Sequence, residues 1–318
     1  MELFKLNQVF DMPEISDDFE IEGRSQPCQF TPMVDPDYVH RLDLIRDMFG
    51  FWVSGEPAML VIGHSGCGKT SFIEQWHACL NLPLLTVVAH PRTEIADLVG
   101  HYIPTESGGM AFHYGPIVRA AKEGWSVLID EYFVLDPGVA TGLNSFLQGG
   151  SLYIPETGEV IRPREGFRVF AATNPADIGA GYMARNTQDA ANQDRFYTIK
   201  VGYPAPKEEI PLVSKVLLDM QIGDQGIADM YAEKMVDVAN RVRKLYCGES
   251  DGANAIDATL STRSLKRWAA LFMLFAGNDQ ATGMDRPQHY ALQRAVTNRT
   301  SPETARAIHD IVDIVFGT

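Results

Sequence analysis

"AMLVIGHSGCGKTSFIEQWHACL", residues 58–80, holds the segment whose reading decides the fold. Residues 63–70, GHSGCGKT, fit the pattern G-x-x-x-x-G-K-[ST]. A short apolar run leads into them, and TSFIEQWHACL follows with helical spacing, so the order reads strand, loop, helix. Gly63, Gly66 and Gly68 let the backbone turn tightly and aim amide N–H groups at phosphate oxygens. Lys69 is then expected along the β- and γ-phosphates of a nucleotide, with the Thr70 hydroxyl offered to Mg²⁺. The start of the following helix adds a field that favours anions. The expected cradle takes in Gly63, His64, Ser65, Gly66, Cys67, Gly68, Lys69, Thr70 and Ser71. His64 and Cys67 fill variable positions and read as loop side chains, not as a metal pair or a catalytic thiol.

A phosphate loop alone does not separate kinases, GTPases and motors. GWSVLIDEYFVLDP, 124–137, narrows the choice, because SVLID reads as a buried parallel strand that ends in two adjacent carboxylates. Asp130 is placed to act on Mg²⁺ through its water shell, and Glu131 to polarise an attacking water. The second acid points to hydrolysis more than to phosphoryl transfer onto a bound acceptor. FRVFAATN, 167–174, is another buried-type strand and brings Asn174 to the same sheet edge, where an amide can sense a γ-phosphate or the water. Pro175 ends that strand, since it lacks a donor and restricts the residue before it.

Phosphate loop, strand ending in DE, strand ending in TN, arginine before Phe196, then a helical C-terminal part: in this order the chain resembles an AAA+ ATPase. More narrowly it is similar to the MoxR-type branch, in particular the ATPase subunit of aerobic cobaltochelatase and the ATPases that activate Rubisco or nitric oxide reductase. MVDPDYVHRLDLIRDMF at 33–49, EIADLVG at 94–100 and GPIVRAAKEG at 115–124 also carry the likeness. The resemblance implies an α/β fold, a P-loop NTPase core with a parallel central sheet, followed by an all-helical lid. The expected parts are an N-terminal arm 1–32, a nucleotide-binding core 33–204 and a lid 205–318, with ATP and Mg²⁺ between core and lid. It also implies a homo-oligomeric ring, a hexamer, in which Arg195 acts as a finger on the neighbouring subunit's γ-phosphate. Arg185 either assists or holds the loop. In the lid, Arg263 matches the family's second sensor, and Arg267 is the other candidate. The partner implied is a protein with a von Willebrand A-type domain, and the work is that of a chaperone-like motor for a metal chelatase or for metalloenzyme activation. A DNA-directed helicase or translocase and an ATP-gated scaffold without turnover are the alternatives.

Bulk composition fits these expectations. The 318 residues are 45% hydrophobic and 21% charged, enough for a large core. Acidic residues number 41 against 27 basic, a formal charge of −14, which argues against indiscriminate nucleic-acid binding. Four cysteines, at 28, 67, 79 and 247, lack the spacing of a disulfide or zinc framework, and a reduced cytoplasmic setting is expected. No apolar run approaches membrane-spanning length.

The remaining segments are read more coarsely. YIPTESGGMAFHYG, 102–115, reads as a polar, glycine-containing loop, whose Met110, Phe112 and Tyr114 either face a ring centre or pack the loop down. A helix is expected over 137–147 and a β-hairpin over 151–163. Lid helices are expected at 207–219, 225–246, 261–276, 286–297 and 301–315.

Overall fold

The structure, a computed structural model, describes residues 1–106, 108–175, 193–220, 224–248, 256–276 and 285–317. The chain divides into two units: Met1–His64 with Gly68–Val201, and Gly202–Thr318 together with Ser65–Cys67.

Unit one opens with β1 (Glu2–Lys5) and β2 (Glu20–Gly23), an antiparallel pair flanking the short α1 (Leu6–Val9). This segment packs on the rest of its unit. Leu6, Phe10, Met12 and Ile21 are buried, and Phe10 stacks on Trp76 with ring centroids 5.1 Å apart. α2 (Leu42–Ser54) buries Leu44, Ile45, Met48 and Phe51, a spacing that keeps one helix face apolar. It ends where Gly55 takes the left-handed conformation, φ 75.

The central sheet uses β3 (Ala58–Gly63), β4 (Leu84–Val88), β7 (Ser126–Asp130), β10 (Arg168–Thr173) and β11 (Tyr197–Val201), in the order β11-β3-β10-β7-β4. All the pairings are parallel. Strands covered on both faces need continuous apolar runs, and AMLVI, SVLI and VFAA supply them. Ala171 lies opposite both Leu60 and Ile129, so Gly63, Asp130 and Thr173 emerge along one carboxyl edge. α3 (Lys69–Cys79) leaves the phosphate loop and buries Phe72, Ile73 and Trp76.

Between β4 and β7, α4 (Ile95–Val99) stops at Gly100, and a hairpin of β5 (Gly100–Pro104) and β6 (Met110–Tyr114) follows. The polar loop read from the sequence is therefore a paired ribbon. The turn residues TESGG masked two short alternating strands, and Tyr102 meets Phe112 across them at 5.4 Å. Phe112 and Tyr114 pack against the core while Met110 is exposed. α5 (Pro116–Glu123) has proline in its first turn and stops at Gly124, φ 67. The helix expected over 137–147 is broken into α6 (Pro137–Gly142) and α7 (Asn144–Leu147). The expected hairpin forms as β8 (Leu152–Ile154) and β9 (Glu159–Ile161).

Unit two is helical: α8 (Pro206–Asp219), α9 (Gln225–Tyr246), α10 (Thr262–Ala276), α11 (Pro287–Ala295) and α12 (Pro302–Phe316). Val213, Leu217, Met235, Ala239, Trp268, Leu292 and Ile308 form its core. Asp224 caps α9 by accepting from the Ile227 N–H, and Ser301 caps α12 by accepting from Thr304. Among the described residues, no helix is long and apolar enough to cross a membrane.

Candidate functional site

The phosphate loop leaves the carboxyl end of β3 and feeds α3. Gly66 and Gly68 take φ of 73 and 97, the left-handed region that glycine enters without a Cβ penalty. Lys69 is buried at the first position of α3. Its ammonium donates to the Gly63 carbonyl at 2.8 Å, the His64 carbonyl at 3.1 Å and Asn174 Oδ1 at 2.8 Å. A buried cation requires such acceptors, and three oxygens match the three N–H donors of an ammonium.

Thr70 donates its hydroxyl to Asp130 Oδ2 at 2.9 Å, and the Glu131 N–H donates to Asp130 Oδ1 at 2.9 Å. Asp130 therefore presents a carboxylate at a hydroxyl's side, which is the oxygen donor set a Mg²⁺ ion takes beside nucleotide phosphates. Glu131 adopts φ 57, ψ 38, left-handed for a residue with a side chain. Such a conformation costs of order 1–3 kcal/mol and persists where the surroundings enforce it, commonly at functional sites. Asn174 Nδ2 approaches Glu131 Oε1 at 3.4 Å. The amide is thus oriented by charge, oxygen towards Lys69 and nitrogen towards Glu131. Behind Asp130, burial and the Asp130 charge raise the Glu74 carboxyl above its ordinary range.

Lys69, Thr70, Asp130, Glu131 and Asn174 come together from the ends of three strands. The other cradle residues lie in or beside the same loop: His64 half-buried, Ser65 exposed, Cys67 buried, and Ser71 exposed on α3. Arg195 sits elsewhere. It lies in a turn closed by the Phe196 N–H on the Gln193 carbonyl, immediately before β11. Tyr197 pairs with Met59 and Val201 with Gly63, so Arg195 belongs to the amino edge of the sheet. The levels of Met59 and Gly63 are about 13 Å apart along the strand. Around Arg195, the Tyr132 ring meets Phe196 at 5.4 Å, and burial pushes the Tyr132 hydroxyl well up while the Arg195 charge opposes it. Arg185 lies outside the described residues.

Arg263 and Arg267 are both exposed on α10. Two residues before Arg263, Ser261 meets the loop tip, since a Cβ built on Gly66 would fall 2.4 Å from that of Ser261. The sequence offered no sign of this approach. It also hid the pair Arg243–Glu209, whose bidentate contact at 2.7 and 2.8 Å is fully buried in the helical unit.

A five-stranded parallel sheet with a phosphate loop, an acidic strand end and an asparagine at the neighbouring strand end defines an AAA+ ATPase core. Residues 58–196 match the family described as AAA domain (dynein-related subfamily), and residues 221–315 match CbbQ/NirQ/NorQ C-terminal. The chain is 26% identical to Denitrification regulatory protein NirQ of Pseudomonas aeruginosa, over 83% of this chain and 91% of that protein. It is also 26% identical to Protein NorQ of Paracoccus denitrificans, over 81% of this chain and 86% of that one. Aerobic cobaltochelatase subunit CobS of Sinorhizobium sp is 26% identical over 80% of this chain and 76% of its own length. The chain is a MoxR-type AAA+ ATPase, related to the NirQ, NorQ, CbbQ and CobS proteins.

Proposed function

We propose that this ATPase is the motor subunit of a ring that remodels a partner protein carrying a von Willebrand A-type domain, in the service of metalloenzyme activation or metal chelation. The observation that carries the reading is the joined set Lys69, Asn174, Glu131, Asp130 and Thr70 at one sheet edge. Support for the biological setting comes from relatives named for denitrification regulation and for cobaltochelatase.

The residues present fit Mg²⁺·ATP. The nucleotide supplies a γ-phosphoryl group open to attack by water, and the metal offsets its charge. In this reading the loop amides and Lys69 hold the phosphates, while Thr70 and Asp130 hold the ion. Glu131 accepts a proton from the attacking water, and Asn174 orients that water or the γ-phosphate. Arg195, at the opposite sheet edge from its own loop, completes the site of a neighbouring subunit, so turnover depends on assembly. Arg263 reaches the γ-phosphate as the lid sensor.

Affinity capture with Glu131→Gln protein in Mg²⁺ and ATP tests this reading. We expect recovery of a protein with a von Willebrand A-type domain, released when ATP is withdrawn. Recovery of nucleic acid alone would overturn it in favour of a translocase.

A further inference from the structure

The tip of the phosphate loop, Ser65–Cys67, belongs to the helical unit, and two side chains of that unit grip it. Tyr203 donates its hydroxyl to the Ser65 carbonyl at 3.2 Å, and Ser261 closes on Gly66. Both grips are set by one guanidinium. Arg243 Nε donates to the Leu260 carbonyl at 2.7 Å, directly before Ser261, and its carbon lies 4.2 Å from the centroid of the Tyr203 ring. The other two nitrogens of Arg243 are held by Glu209, which also accepts from the Thr262 hydroxyl at 2.6 Å.

A peptide plane is rigid and trans, so its carbonyl and its amide N–H point in opposite directions. Holding the Ser65 oxygen on Tyr203 therefore turns the Gly66 N–H to the far side of the loop. Gly66 can follow because its φ of 73 needs no Cβ and because a Cβ there would collide with Ser261. Burial pushes the Tyr203 hydroxyl up to about 12, so it remains a donor throughout the neutral range.

We propose that Tyr203 is a positioning residue for nucleotide binding: its hydroxyl, aligned by the Arg243–Glu209 pair, fixes the Ser65–Gly66 peptide with its amide presented to phosphate. This deepens the ATPase reading and rests on residues 63–70 being the ATP cradle. Tyr203 acts through the loop backbone and touches no reacting atom.

Tyr203→Phe keeps the ring under Arg243 and deletes the hydroxyl, with its bond to Ser65 and its contact to Thr259. Loss of one neutral hydrogen bond should raise the dissociation constant of a fluorescent ATP analogue, and the KM for ATP, by roughly threefold to tenfold. Turnover at saturating ATP should stay within about twofold, and the thermal midpoint within a degree or two of wild type. Arg243→Lys keeps the charge but loses the fork, so it should raise KM at least as far. If wild-type protein binds the analogue and Tyr203→Phe binds it equally well, the positioning role is wrong. A Tyr203→Phe protein with unchanged KM and a lowered thermal midpoint would equally overturn it, showing a packing role. If wild-type protein itself does not bind the analogue, the ATP-cradle reading fails and takes this inference with it.

Discussion

Asn174→Ala probes the site where its two charges meet. The Lys69–Asn174 bond, at 2.8 Å and buried, is charge-assisted and worth about 1.5–3 kcal/mol. The contact to Glu131, at 3.4 Å, is at the long limit and adds little on its own. Lys69 has its three donors on Gly63, His64 and Asn174, so reaching a phosphate requires it to surrender at least one. Deleting the Asn174 oxygen removes the strongest side-chain competitor, and 1.5 kcal/mol corresponds to roughly tenfold. We therefore expect ATP affinity to hold or to tighten by up to about tenfold. The lost donor acts at the transition state, where removing one such group costs about 10²–10³ in turnover. Steady-state hydrolysis, with affinity measured separately on a non-hydrolysable analogue, gives both numbers. Turnover within threefold of wild type, or affinity weakened more than tenfold with turnover intact, would refute the assignment.

Arg195→Ala should bind ATP normally yet lose roughly 10³-fold in hydrolysis, and mixing it with Lys69→Ala subunits should restore some rate, because each variant supplies what the other lacks; full activity of the single variant would exclude a finger. Arg243→Leu leaves Glu209 charged and buried, at a cost of about 3–5 kcal/mol. With roughly 120 residues in the helical unit, calorimetry should show its transition lowered by roughly 12–20 °C, and the double change Arg243→Leu with Glu209→Leu should recover part of that loss. His77 is fully buried, donates to the Ile73 carbonyl at 2.7 Å, and is pushed by burial from 6.5 to about 4. Its folded pKa lies below its unfolded one, so the stability it supports is complete above pH 6.5 and is lost as pH falls towards 4, by at most about 3 kcal/mol. His40 shifts in the same way, so His77→Leu should flatten that part of the pH–stability profile and leave a residual slope.

The strand–loop–helix at 58–80 and the DE and TN strand ends were legible because local chemistry dictates them: glycines where φ turns positive, apolar runs where both sheet faces are covered. The C-terminal helices were legible from their period, and α9 spans the expected 225–246. What escaped was non-local. The β5–β6 ribbon hid behind turn-forming residues, and the N-terminal segment disclosed its place only once Phe10 met Trp76. Tyr203 and Ser65 are 138 residues apart, and Arg243 and Glu209 are 34 apart, so no window of sequence contains either contact. The left-handed Glu131 was hidden for another reason, since a Glu after a strand carries no sign of positive φ.

The most direct measurement is ATP turnover by Glu131→Gln protein, with nucleotide binding followed in the presence and absence of Mg²⁺. We expect Mg²⁺-dependent binding close to wild type, through Lys69, Thr70 and Asp130, with turnover reduced by at least about 10². Wild-type turnover in that variant would contradict the assignment of Glu131 as the group that activates water.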